Sequence, residues 1–287
     1  MTSEAIEAIV PEEQVDLISG LLWGAGVTAV AEHPDGEGRV LLRTDVPPGG
    51  IETARGAIGH LVEVVRLVTV VDDGLDAWRD HAEVVRAGDR IVIRPPWLPL
   101  GDVPADAVVV EIDPARSWGH GAHPTTRVCL AELERSLAHR AGSTVLDVGC
   151  GSGVLSVTAA MLGAERVVAC DVDAVAVAAT RDNADRNGVA GTIEVHQVPG
   201  LDAAAGGDPL ASVGGDRADV VVANIGAGAL VELAPHLLAR LAPGGTLVLS
   251  GLLDEPPAEV LEAFASIDVE RVVRLEGWAA VVLRRER

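Results

Sequence analysis

Lysine is missing from this chain altogether. All 22 basic residues among the 287 are arginine, against 43 acids, for a formal net charge of −21. Without lysine there is no Gly-Lys-Ser/Thr sequence, so a phosphate-cradling P-loop is excluded. A body this acidic repels nucleic-acid phosphates and favours a basic protein partner. Cysteine is scarce as well. Cys129, Cys150 and Cys170 have neither zinc spacing nor the even count of a disulfide framework, and their apolar surroundings point to packing. The longest apolar stretch, 220–238, is broken by Asn224, two glycines, Glu232 and Pro235, so it reads as strand plus helix and not as a membrane span. Residues 1–14 are acidic and lack a charged-then-apolar signal layout, which sets the expectation of a cytoplasmic location.

What is present is an ordinary globular composition, 48% apolar and 23% charged, in a chain long enough for one large domain and a smaller one. Residues 1–72 follow a β-α-β-β-α-β rhythm. Strands are expected at 5–10, 27–32, 39–44 and 62–71. A helix opens at Pro11 with Glu12 and Glu13 in its first turn, a second ends near His60, and His33 to Gly38 form a hairpin loop. That order is the ferredoxin-like α+β arrangement, a module suited to recognising a partner. Residues 73–106 are read as a proline-stiffened connector, with a helix start at Asp76 and a strand over 90–94. Residues 107–287 make the large domain. From Thr144 onwards strands and helices alternate strictly, and 268–275 with 278–284 close the chain as an edge hairpin. The fold class is therefore α/β, a doubly wound and mostly parallel sheet.

The stretch 145–171 organises that domain. An apolar strand runs into Gly149, Gly151 and Gly153, a helix follows, and the next strand ends on Asp171. Glycines are needed where backbone approaches a ligand or takes positive φ, and the acid beyond them suits ribose hydroxyls. The third glycine comes one residue too early for the dinucleotide fingerprint. Asp147, two residues before the first glycine, would repel a pyrophosphate but tolerate a cofactor with an amino-acid end and a sulfonium cation.

Asp-Val-Gly-Cys-Gly-Ser-Gly (147–153) followed by Cys-Asp-Val-Asp (170–173) resembles class I S-adenosylmethionine-dependent methyltransferases. The resemblance implies a seven-stranded sheet with its last strand antiparallel. Three further stretches narrow it: Trp-Gly-His-Gly-Ala-His-Pro-Thr-Thr (118–126), Arg-Asp-Asn-Ala-Asp-Arg-Asn-Gly-Val (181–189) and Asp-Val-Val-Val-Ala-Asn-Ile (219–225). With the small first domain, these are similar to the bacterial PrmA family, whose substrate is protein eleven of the large ribosomal subunit. The resemblance implies methyl transfer to lysine and α-amino nitrogens. It makes the small domain the holder of a basic ribosomal protein, taken free and outside assembly. It also marks Thr126, Asp147, Gly149, Gly151, Gly153, Asp171 and Asn224 as cofactor-binding. Trp118 and His120 stand where the family pattern has Phe and Thr, so the alternative is a diverged member acting on another protein or a small molecule.

Transfer to an sp³ amine requires a neutral nucleophile and a group that orients its lone pair. Asn224, at the carboxyl end of a central strand, is the expected orienting residue. The sequence after it, Ile-Gly-Ala, is not the Asn-Pro-Pro-aromatic pattern used for planar nitrogens. His120 is expected as a proton acceptor, and His123 as a loop-fixing or cofactor-contacting group. Trp118 is read as a pocket wall or core filling, and Thr125 and Thr126 as pocket residues of which one caps the following helix. No third ligand accompanies the two histidines, so no metal is expected.

Overall fold

The structure, a computed structural model, describes residues 2–27, 30–36, 38–46, 50–62, 65–71, 82–114, 119–138, 140, 142–200, 207–214 and 216–286. Two compact units divide the chain, Met1–His81 and Ala82–Arg287.

In the first unit the elements are β1 (Thr2–Pro11), α1 (Val15–Gly24), β2 (Ala31–Gly36), β3 (Arg39–Asp45), α2 (Ile51–Ile58) and β4 (Val65–Val71). The four strands form a fully antiparallel sheet in the order β2-β3-β1-β4, the ferredoxin-like pattern. Ile6, Ala8 and Val10 recur at the strand period of two and pack with Ile18 and Leu22 of α1 and Ala54 and Ile58 of α2. Two local expectations are corrected. Pro11 ends β1 instead of opening the helix, because a 3-10 turn at Glu12–Gln14 intervenes. Pro34 and Asp35 belong to β2 rather than to a loop; β2 is an edge strand, where a missing N–H breaks no ladder bond.

The second unit begins with a three-stranded sheet of β5 (Val85–Ala87), β6 (Ile91–Arg94) and β7 (Val108–Glu111). Much of the stretch read as connector thus hydrogen-bonds into this unit, while the helix start expected at Asp76 lies outside the described residues. The chain continues through α3 (Pro124–Leu137), β8 (Thr144–Val148), α4 (Val154–Met161), β9 (Arg166–Asp171), α5 (Ala174–Arg186) and β10 (Ile193–Gln197). It ends with β11 (Ala218–Asn224), α6 (Ala227–Arg240), β12 (Leu241–Leu253), α7 (Ala258–Ala263), β13 (Asp268–Leu275) and β14 (Trp278–Arg284).

The seven strands lie in the order β10-β9-β8-β11-β12-β14-β13, and β14 runs antiparallel to both neighbours. Alternate residues of each strand feed two cores. Val145, Val167, Val220 and Val248 face α3 and α4. Leu146, Val168, Val221 and Leu247 face α6 and α7. Both faces are covered, which is why the strands read as near-continuous apolar runs. The chain builds outward from β8 through β9 to β10, then returns to β11 on the other side. The crevice at this reversal, beyond the carboxyl ends of β8 and β11, is where such sheets bind ligands. Among the described residues no helix is long and apolar enough to cross a membrane.

Candidate active site

Gly149, Gly151 and Gly153 all take left-handed backbone, with φ of +79°, +55° and +81°. Two of them also have no room for a side chain. A Cβ on Gly149 would collide with Ile225, and one on Gly153 would come within 3.0 Å of Thr180. The turn is held from outside by β9: the amides of Gly149 and Cys150 both donate to the Cys170 carbonyl, at 2.8 and 3.1 Å. The Asp171 carboxylate continues this clasp. Its Oδ2 accepts from the Gly151 amide at 2.9 Å and its Oδ1 from the Asp173 amide at 3.0 Å. Each oxygen keeps a second lone pair, so the carboxylate is oriented without being exhausted.

Asp147 lies beneath the turn and is fully buried. Its Oδ2 accepts from Ser156 of α4 at 2.6 Å, whereas Oδ1 has no partner among the described residues. Burial pushes this carboxyl up to about 7, with the nearby Asp171 charge adding to the effect and the Ser156 hydroxyl opposing it. The three cysteines are buried and free, as their contexts suggest. Burial raises the Cys129 and Cys170 thiols to about 12, which leaves them inert.

The opposite wall is the start of α3. His123 caps it: its Nδ1 accepts from the Thr125 amide at 3.3 Å and lies 2.7 Å from Thr125 Oγ1, with Pro124 at the first helical position. The cap is therefore His123 and neither threonine, which corrects the expectation for Thr125 and Thr126. Both threonines are buried. Thr126 Oγ1 accepts from Asn224 Nδ2 at 3.4 Å, so two residues 98 apart in sequence meet at the end of β11. Burial lowers His123 below the ordinary imidazole value, helped by His120 and opposed by Glu276. Desolvation lowers His120 too, against the pull of Glu83. His120 accepts the Ala122 amide on Nδ1 at 3.3 Å, which leaves Nε2 carrying the hydrogen in the neutral ring. In that tautomer His120 is a donor, and the expected proton-acceptor role would require this bond to break. Trp118 lies outside the described residues.

A profile for the family described as "Ribosomal protein L11 methyltransferase (PrmA)" matches residues 63–286. A ribosomal protein L11 methyltransferase from Syntrophotalea carbinolica is 45% identical over 98% of this chain and 97% of its own length. One from Citrifermentans bemidjiense is 44% identical over 76% of this chain and 70% of its own. The chain belongs to the ribosomal protein L11 methyltransferase family. A crystal structure of a ribosomal protein L11 methylase from Lactobacillus delbrueckii subsp. bulgaricus superposes with a TM-score of 0.62 at 28% identity, covering 72% of this chain and all of that one.

The family's cofactor is S-adenosyl-L-methionine, and the turn fits it. Side-chain-free backbone at Gly149 and Gly153, an orphan carboxyl oxygen at Asp147 and a half-buried carboxylate at Asp171 suit a cationic nucleoside better than an anionic one. Val172, next to Asp171, is 51% exposed and offers apolar surface for a flat ring.

Several side chains that shape this family's site in the present chain escape a reading of the sequence. Ile225 is wedged between Gly149 and Gly251, whose own φ of +83° leaves no space for a Cβ against the Ile225 carbonyl. Its amide donates to Ser250 at 3.2 Å, and together these contacts fix the Asn224 turn. Trp278, the first residue of β14, meets the His123 ring edge-on, with centroids 4.8 Å apart and planes at 68°. No local pattern announces that contact. Asn183 does carry a signal: it is a polar residue at the helical phase of Ala176, Val177, Thr180 and Ala184, all of which are buried.

Proposed function

We propose that this chain transfers methyl groups from S-adenosyl-L-methionine to lysine and α-amino nitrogens of ribosomal protein L11. The observation that carries the reading is the meeting of Asn224 and Thr126 beside the glycine turn, in a chain of this family. Asp171 would take the ribose hydroxyls, the 149–153 backbone would lie along the cofactor, and Asp147 would face its positive charge. The bound cofactor supplies a methyl on a sulfonium, whose charge already activates the leaving group. What remains for the protein is to position and desolvate the amine. A lysine ammonium, with a pKa of ~10.4, must arrive without its extra proton, and a half-buried site beside a cation favours the neutral form. The Asn224 amide oxygen can then accept an amine hydrogen and aim the lone pair.

The first unit would hold the substrate. Ribosomal protein L11 would be met free in the cytoplasm, and the acidic chain would make no contact of its own with nucleic acid. Acids outnumber arginines in both units, and the first carries about half of the net negative charge in less than a third of the residues. That distribution suits a basic protein. Incubation with labelled cofactor and purified large-subunit proteins tests the assignment. Label should enter ribosomal protein L11, and since the chain contains no lysine, background labelling on its own lysines is absent. Label on another protein, with ribosomal protein L11 untouched, would overturn the acceptor while leaving the cofactor in place.

A further inference from the structure

We infer that Asn183 is a positioning residue for cofactor binding, because its amide fastens the glycine turn to the segment that leads into the 119–126 loop. The inference rests on the methyltransferase reading above.

Asn183 and Asn187 sit one helical turn apart on α5, and Asn183 is fully buried. Four residues of helix rise about 6 Å, close to the roughly 6.7 Å between alternate residues of a strand. The two amides exploit this match. Asn187 accepts the Glu111 amide at 2.8 Å and donates to the Glu111 carbonyl at 2.7 Å. Asn183 does the same for Asp113, at 3.0 and 2.8 Å. The helix thus presents a strand-like edge to β7 and its extension.

The two asparagines then diverge. The remaining donor of Asn187 goes to the Asn183 carbonyl at 2.7 Å, inside its own helix. That of Asn183 goes to the Ser152 carbonyl at 2.9 Å, in the middle of the glycine turn. One turn earlier on α5, Thr180 Oγ1 donates to the Gly151 carbonyl at 2.9 Å. Two successive peptide planes of the turn are therefore set by α5. Ser152 also donates its hydroxyl to the Gly119 carbonyl at 2.6 Å, at the head of the loop that carries His120, His123, Thr125 and Thr126. Asn183 consequently ties both walls of the site together before any ligand arrives, and cofactor binding need not order them.

Asn187 provides a matched control, since it makes the same kind and number of bonds without touching the turn. Asn183→Ala and Asn187→Ala should both lower the urea midpoint of the free protein, the fully buried Asn183 more than the part-buried Asn187. Calorimetry below the melting range should show S-adenosylhomocysteine bound roughly tenfold more weakly by Asn183→Ala, and within about twofold of wild type by Asn187→Ala. In turnover, Asn183→Ala should raise the KM for S-adenosylmethionine and leave kcat at saturating cofactor nearly intact. Without cofactor, the Gly153 amide should exchange faster in Asn183→Ala only. Should the alanine variant fail to fold, Asn183→Asp keeps the shape and the acceptor but loses both donors, and the same split is expected. Equal losses of cofactor affinity at the two positions, or wild-type affinity in the Asn183 variants, would overturn the inference. A wild-type protein that binds no cofactor would instead overturn the methyltransferase reading.

Discussion

The Asp147 carboxyl is fully enclosed, and its burial, reinforced by the Asp171 charge, brings it to about 7. In the unfolded chain an aspartate titrates at ~3.9. Between those two values the folded protein retains a proton that the unfolded chain has released. The contribution of this group to stability is then greatest in acid and declines as pH rises from about 4 to about 7. Asn at this position mimics the protonated form and can still accept from Ser156. The melting temperature of Asp147→Asn, relative to wild type, should therefore climb between about pH 5 and about pH 8. Calorimetry across that range checks it; a constant difference would mean that the buried group does not titrate there. The same carboxyl links stability to function. A cation placed near the orphan Oδ1 favours ionisation, so in the wild type cofactor affinity should strengthen through the same window.

At the scale of elements, α3 is the wall of the site and its position depends on a clamp at the other end. Glu134 is nearly buried and receives the Asp89 amide at 2.7 Å, the Arg90 amide at 3.4 Å and the Arg90 Nε at 2.9 Å. These donors belong to the β5–β6 turn, where Gly88 (φ +57°) has no space for a side chain against the same carboxylate. Removing the acceptor leaves partly buried N–H groups unmatched, so Glu134→Ala should cost the second unit about 2 kcal/mol. Urea titration measures this, and a loss below ~0.5 kcal/mol would show that water replaces the carboxylate. The clamp also marks where sequence reading stops. The alternation from β8 to β14 was legible because each strand is a buried apolar run bounded by glycine or an acid, a pattern fixed locally. The placing of Asp171 and Asn224 at the same sheet edge as the glycine turn followed, since both lie at ends of strands whose order was already readable, whereas the Gly151–Asp171 and Asn224–Thr126 bonds were not. β6 was read as a strand over 90–94, but β5 was missed because a strand of three residues carries no periodicity. The His123 cap is local, with Thr125 two residues on, but was missed because threonine is the commoner capping residue. The Trp278 contact and the partners of Asn183 lie far off in sequence, and only the helical phase of Asn183 signals its burial.

For the whole molecule, the decisive quantity is charge. A net −21 with acids in excess on both units creates a negative field around a protein whose proposed substrate is basic. Such a field acts before contact by steering the encounter, and it decays over a Debye length of about 10 Å at 0.1 M salt. Exposed pairs formed on docking add little each, so screening should act mainly on association. The proposed chemical step would take place elsewhere, beyond the carboxyl ends of β8 and β11, beside side chains that are buried or half-buried. Raising salt from about 0.05 to about 0.2 M should therefore increase the KM for the ribosomal protein several-fold and leave kcat nearly unchanged. Cofactor affinity should respond far less, because its contacts are short and local. Steady-state kinetics with the protein substrate varied at each salt concentration separates these cases. A KM that ignores salt would mean that apolar surface, and not the acidic field, captures the substrate; a kcat that falls with salt would place a screened charge inside the crevice itself.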